Sequence, residues 1–245
     1  MPRANRVFVP GQVWHITQRC LDQAFLLRFA KDRNLWCRWL YEARSRYGLC
    51  VLNYIVTSNH IHLLVHDQGR GEISASMQLV SGRVAQAFNV RKQRSGPLWE
   101  DRYHATAVET DSHLARCMTY IDLNMVRANA VAHPQEWPQS GYREMQDSRQ
   151  RYCITDTSKL MTLLGCTELA ELRALRNAAI DEQLTHGLRP HNPMWSQAIA
   201  VGSEVFVSTI AQALQLNPRY RTVLPQHDSF VLREALRPLY SAFSG

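Results

Sequence analysis

The chain has 245 residues, enough for one large domain or two smaller ones, with 45% apolar and 20% charged residues and no apolar run long enough to cross a bilayer. Its net charge of +7 comes from 28 Lys+Arg against 21 Asp+Glu. Nearly all of that surplus precedes residue 146, and only Lys31, Lys92 and Lys159 are lysines. The lack of such an apolar run argues against a membrane partner, and the charge balance makes the first part the polyanion-binding half, since arginine's planar fork suits phosphates and stacks on bases. A GC-rich coding bias toward arginine gives the same composition. The six cysteines show no CxxC and no regular spacing, and read as buried thiols of a reducing cytoplasm rather than a disulfide frame.

In chain order, Val13-Trp14-His15-Ile16-Thr17 alternates as a strand does. Residues 29–47 carry Leu35, Trp36, Trp39, Leu40, Ala43 and Tyr47 at helical spacing, and Gly48 stops the helix. Two strand runs, 49–56 and 60–66, join at Thr57-Ser58-Asn59 as a hairpin. A second helix over 72–91 has Ile73, Met77, Val80, Val84 and Phe88 on one side. Residues 92–97 form a loop, residues 104–108 a fourth strand, and a third helix, capped by Asp111 or Ser112, reaches about Ala128. The order β-α-β-β-α-β predicts an α+β fold of the ferredoxin-like, RRM-like kind: one antiparallel sheet with helices on one face and the other face free for a ligand. This domain is expected over residues 1–145. Residues 146–245 are expected to be a C-terminal helical extension, with a polar linker over 144–157 and helices over 157–165, 167–186 and 201–216.

The stretch Asn59-His60-Ile61-His62-Leu63-Leu64-Val65-His66 places two histidines one apolar residue apart within a strand. Successive strand side chains point to opposite faces, so His60 and His62 lie side by side while Ile61, Leu63 and Val65 enter a core. A His-x-His pair alone is a weak signal, and its weight depends on what completes the site. The helix over 111–128 supplies candidates. Leu114, Cys117, Met118, Ile121, Met125 and Ala128 form its apolar stripe, flanked by His113, Arg116, Tyr120, Asn124 and Arg127. A helical tyrosine is ordinarily a core-edge residue. Here it shares a line with a carboxamide and a guanidinium, in a chain that also presents paired imidazoles.

Those groups make a coherent chemistry. Two imidazoles and the Asn124 amide oxygen leave a divalent metal with open positions. Such a metal binds a non-bridging phosphate oxygen of DNA and neutralises charge that builds during transfer. The Tyr120 phenol is then a nucleophile toward phosphorus, and the bond energy stays in a phosphotyrosine. With a reference pKa of about 10, the phenol needs activation, and no general base stands out.

His60-Ile61-His62 resembles the His-hydrophobic-His motif of HUH single-strand endonucleases, and residues 120–128 resemble the tyrosine helix of single-tyrosine transposases. The chain is most similar to REP-associated tyrosine transposases. Val9-Pro10-Gly11, Ser58-Asn59-His60, Leu98-Trp99-Glu100-Asp101-Arg102-Tyr103, Trp137-Pro138 with Ser140 and Tyr142, and residues 202–207 support the likeness. The resemblance implies the same fold, cleavage and joining of single-stranded DNA through a 5′-phosphotyrosine, Mg²⁺ or Mn²⁺ as cofactor, and a hairpin-forming DNA substrate. It makes Tyr120 the nucleophile and His60, His62 and Asn124 the metal ligands. It also implies a bacterial cytoplasmic protein, nucleoid-associated when bound, and leaves monomer against homodimer open. This chain departs from the family's pattern at Met125, where Pro is usual, at Asn129, where Gly is usual, and at Asn124, where insertion-sequence relatives carry Gln.

Arg6, Arg19, Arg102, Tyr103 and Arg127 are the candidate DNA contacts, the last as a clamp on the scissile phosphate. For each arginine, solvated surface charge is the competing reading. His15 and His104 are unassigned, and His66 reads as an edge histidine. Two other functions compete with strand transfer: a DNA-hairpin-binding architectural or regulatory protein with little turnover, and an unrelated metallohydrolase. The second lacks an acidic ligand at a suitable position after His62.

Overall fold

The computed structural model describes residues 7–147, 152–190, 192–216, 221–226 and 228–234, so Arg6 lies outside the described residues. The predicted order holds through the first half: β1 (Val13–Arg19), α1 (Ala30–Tyr47), β2 (Cys50–Val56), β3 (His60–His66), α2 (Glu72–Lys92), β4 (His104–Val108) and α3 (Ser112–Asp122). Gly48 ends α1 at φ +68°, where its N–H reaches the Arg44 carbonyl, a left-handed turn that glycine takes without strain. The remaining elements are α4 (Asn124–Arg127), α5 (Gly141–Gln146), α6 (Thr157–Leu164), α7 (Leu169–His186), α8 (Met194–Gln197), β5 (Ala200–Gly202), α9 (Glu204–Ala213), β6 (Arg221–Gln226) and β7 (Ser229–Glu234). The fold is α+β, as expected.

Three expectations are corrected. The segment after 146 is not only helical: β5, β6 and β7 extend the sheet to the order β2-β3-β1-β4-β5-β7-β6. The β4–β5 pair is parallel and the other pairs are antiparallel, so the sheet is mixed. Ala200-Val201-Gly202 pairs with β4 and β7 instead of opening a helix, and Ser203 caps α9 immediately after it. Secondly, the sheet face carrying the histidines is not open. Val13, Leu52, Leu64 and Val108 on that face are buried against Leu114, Cys117, Met118 and Ile121 of α3, Leu160 of α6, Leu172 of α7 and Trp195 of α8. The opposite face packs Ile16, Ile61, Leu63 and Val65 on Trp36 and Leu40 of α1 and Met77 and Val80 of α2, with Val207 and Ile210 of α9. Apolar side chains on both faces of the strands require cover on both, so the sheet is the middle of three layers. Thirdly, the tyrosine helix is interrupted at Leu123, and neither Asp111 nor another side chain caps its start.

The expected linker is also drawn in. Glu144, 4% exposed, accepts from the backbone N–H groups of Ile154 and Thr155 and from the Thr155 hydroxyl. Deeper still is an ion pair between Arg176 of α7 and Asp122 at the end of α3. Arg176 Nε donates to Asp122 Oδ2 at 2.7 Å and Nη2 to Oδ1 at 2.6 Å. Asn53 of β2 joins both partners: its Oδ1 accepts from Arg176 Nη2 at 2.7 Å and its Nδ2 donates to Asp122 Oδ1 at 2.9 Å. Removing one member of a buried, hydrogen-bonded pair leaves an uncompensated charge. Arg176→Met is therefore expected to cost about 3–5 kcal/mol in urea unfolding; a loss under about 1 kcal/mol would show that the network contributes little.

Candidate metal and tyrosine site

Strand pairing sets the geometry. β1 runs antiparallel to β3 with Arg19 opposite His60 and Thr17 opposite His62, so His15 is the diagonal neighbour of His62. The His60 and His62 rings lie 4.9 Å apart at 88°, and those of His62 and His15 lie 5.0 Å apart and nearly parallel. α3 brings Tyr120 over this group, its ring 5.7 Å from that of His62 and 6.2 Å from that of His15. Asn124, one turn along, has Nδ2 3.0 Å from His62 Nε2. The shorter amide therefore reaches the histidine despite the shortened side chain. At the end of α4 the usual glycine position is Asn129 with φ +53°, and the Ala130 N–H closes on the Met125 carbonyl. Asparagine tolerates that left-handed conformation, so the departure leaves the helix end intact.

A cavity of about 280 Å³ is lined by Thr17, Arg19, Asn59, His60, Asn124 and Arg127 among others, with His62 and Ser196 in its wall. Tyr120 lines a neighbouring cavity of about 630 Å³ between α3 and Arg189, Pro190 and residues 192–195, and Arg127 lines both. The Arg127 guanidinium lies 4.6 Å from the centre of the Tyr120 ring and donates to the Tyr120 carbonyl. The phenol is 6% exposed. Burial pushes its pKa up to about 12, against the pull of the Arg127 and Arg19 charges and the Ser196 hydroxyl.

Both inner histidines are neutral. Burial takes His15 down to about 3, against the Trp195 carbonyl. Burial, then the neighbouring His60 and His15, holds His62 well below its usual value. Neutral imidazole is the form that binds a metal. His60 Nδ1 is 2.7 Å from Asn59 Oδ1, which leaves the lone pair on Nε2. Two imidazole nitrogens and a carboxamide on one cavity wall fit a divalent cation of the Mg²⁺ or Mn²⁺ class with positions left for phosphate oxygens. Among the described residues no group of three or more His, Cys, Asp or Glu is placed to hold a metal.

Of the other candidates, Arg19 reaches the cavity and Arg102 does not line it. Tyr103 belongs to the other layer, where its ring stacks 6.4 Å from Phe8 and its hydroxyl is 3.3 Å from Ser74 Oγ. Trp195 and Ser196 carry no sequence signal, Asn59 enters only as part of the Ser58-Asn59-His60 stretch, and His15 is an unassigned histidine of the first strand. For His15 the signal was the strand register, two residues from the position facing His62.

Residues 15–124 match the family model for IS200-like transposases. Over that stretch the chain is similar to IS200-like transposases. A REP-associated tyrosine transposase solved bound to a REP hairpin is similar in fold, with a TM-score of 0.51 at 17% identity over 64% of this chain and 91% of that one. A Deinococcus radiodurans protein provisionally described as a transposase aligns over 52% of this chain and 97% of its own, at 14% identity and a TM-score of 0.35, too low to carry weight. No curated protein matches the chain. Both the family model and the fold agree with the resemblance drawn from the motifs. No helix among the described residues is long and apolar enough to cross a membrane.

The neutral histidines make a pH prediction for the metal-free protein. A folded pKa below the unfolded 6.5 means stability that is complete above that value and lost as pH falls. His15 and His62 should each contribute a decline of about 1.4 kcal/mol per pH unit below pH 6.5, His15 down to about 3. Urea midpoints from pH 7 to 4 test this, and a flat profile would count against two buried neutral imidazoles.

Proposed function

We propose that the protein is a metal-dependent endonuclease and strand-transferase that nicks and rejoins hairpin-forming single-stranded DNA of the REP type through Tyr120. The observation that carries this reading is the convergence of the Tyr120 ring, the His62 ring with His60 beside it, the Asn124 amide and the Arg127 guanidinium. His60, His62 and Asn124 would hold Mg²⁺ or Mn²⁺, the Asn124 amide turning over to present Oδ1. The bound cation supplies Lewis acidity toward a phosphate oxygen.

Tyr120 Oη forms the bond to phosphorus as the bond to the 3′ oxygen breaks. The phenolic proton is released and the departing 3′ oxygen takes one up, leaving a 5′-phosphotyrosine. A second 3′-hydroxyl reverses the step and frees the tyrosine. Arg127, against the Tyr120 ring and lining the cavity, is placed to favour the phenolate and to meet the phosphate. Arg19 and Arg102 would track the DNA backbone, and Tyr103 would serve only a strand passing to the other layer.

Full-length protein mixed with a labelled hairpin oligonucleotide and Mn²⁺ should yield an SDS-resistant adduct. Tyr120→Phe should abolish it, and His62→Ala should lower it at least about 100-fold. Because the phenol holds its proton to about pH 12 without metal, adduct formation should accelerate from pH 6 to 9. The buried phenol favours a second reading, a hairpin-binding protein with little turnover. No adduct, with nanomolar hairpin binding unchanged in Tyr120→Phe, would select it. Arg19→Ala should weaken hairpin binding on any sequence and reduce the salt slope by about 1.

A further inference from the structure

The two histidines of the cavity take their orientation from different parts of the chain. For His60 the source is local. Asn59 Nδ2 donates to the Gln23 carbonyl at 3.0 Å, which turns Asn59 Oδ1 toward His60 Nδ1 at 2.7 Å. A carboxamide oxygen only accepts, so the His60 proton is on Nδ1.

For His62 the source is remote. Its Nδ1 lies 2.9 Å from Nε2 of His15, and His15 Nδ1 lies 2.6 Å from the Trp195 carbonyl of α8. That carbonyl also only accepts. The His15 ring is fully buried with its two nitrogens against a carbonyl and another imidazole, and no carboxylate among the described residues is bonded to it. That setting does not hold a charge, so its one proton is on Nδ1 and its Nε2 is an acceptor. The proton of His62 is thereby placed on Nδ1, and the lone pair of His62 is on Nε2. The far end of the chain of bonds agrees, because Asn124 Nδ2 stands 3.0 Å from that Nε2 as a donor.

We propose that His15 is a positioning residue of the metal centre: hydrogen bonds running from the Trp195 carbonyl through His15 lock His62 in the tautomer that presents Nε2 to a divalent cation. This rests on the reading of His62 as a metal ligand given above. It assigns the C-terminal segment a part in the site through one backbone carbonyl, without a ligand side chain of its own. A nitrogen that carries a proton cannot bind a metal, so a His62 free to adopt either tautomer binds more weakly. Partners behind a ligating histidine are typically worth about 10–100-fold in metal affinity.

The test uses full-length protein labelled with ¹⁵N-histidine and Mn²⁺ as the probe. Without metal, two-bond ¹H–¹⁵N correlations should show His15 and His62 both as Nδ1–H tautomers. His15→Leu should give mixed His62 tautomers and an Mn²⁺ affinity about 10–100-fold lower, while metal-free hairpin binding stays within about twofold. His15→Gln, whose amide donates to Trp195 and accepts from His62 Nδ1–H, should recover most of the Mn²⁺ affinity. An Nε2–H tautomer of His62 in the wild-type protein overturns the proposal, and so does a folded His15→Leu that binds Mn²⁺ as the wild type does. If neither variant folds, the wild-type spectrum alone decides. Wild-type protein that takes up no Mn²⁺ overturns the metal reading and the relay's purpose with it; the tautomers, seen without metal, distinguish that failure from a wrongly placed proton.

Discussion

The buried pair between Arg176 and Asp122 is the constraint on which the arrangement depends. Asp122 is two residues beyond Tyr120 and two before Asn124, so whatever fixes its carboxylate fixes both. The pair is satisfied on every side: Asn53 of β2 bonds both partners, the Tyr142 ring lies 5.3 Å from the guanidinium, and Met145 Sδ is 3.4 Å from Nη1. Such saturation is what makes a buried charge tolerable. Asn53 reaches the pair because the β2–β3 register shifts between Val51 and Asn53, which turns Asn53 toward α3. Gly141 leaves room for it, since a Cβ there would collide with Asn53 Oδ1 and crowd the Tyr54 nitrogen. One strand, the tyrosine helix, α5 and α7 of the C-terminal segment are thus joined at a point adjacent to the chemistry.

Much of this was legible in the sequence because it rests on local periodicity. The alternation around His60 and His62 gave their shared face, and the 3.6-residue repeat from Leu114 to Met125 gave the packing stripe that leaves Asn124 and Arg127 beside the cavity. What escaped depends on partners distant in the chain. Arg176 reads like Arg173 on a charged helix, and nothing local marks it as the buried member of an ion pair. Ala200-Val201-Gly202 is three residues long and becomes a strand only because β4 and β7 flank it. Pro225 and the exposed Val223 and Leu224 gave β6 no alternating pattern. The expectation of an open sheet face failed for a reason the sequence did contain: Leu64 between His62 and His66, with Val13 and Leu52, is apolar on the histidine face and needs cover.

That cover changes what kind of site this is. An open sheet would have offered the histidines and the tyrosine to solvent. Here α3 and α8 close over them: the histidines are reached through the cavity that Arg19, Asn59 and Arg127 border, and Tyr120 through the neighbouring one, with Arg127 lining both. The C-terminal segment is part of the enclosure, since Trp195 packs against Tyr120 with ring centres 6.3 Å apart and Ser196 borders the cavity. Residues 15–124, which match the family model, thus leave out α8, whose Trp195 and Ser196 shape the surroundings of the tyrosine.

Burial of Tyr120 works in two directions. Desolvation raises the pKa of the phenol to about 12 and so makes it a poorer nucleophile until a positive charge comes close. The same exclusion of water would protect a phosphotyrosine once formed. A nuclease has no use for that protection, because water is its second substrate. A strand-transferase does, because the intermediate must outlast the interval before a second DNA end arrives. Under the proposed function the two costs are unequal: slow activation would be relieved by Arg127, which lines both cavities, and by a cation held at His60 and His62, whereas premature hydrolysis would end the reaction. A phenol under cover beside a guanidinium is therefore better suited to rejoining than to cutting alone.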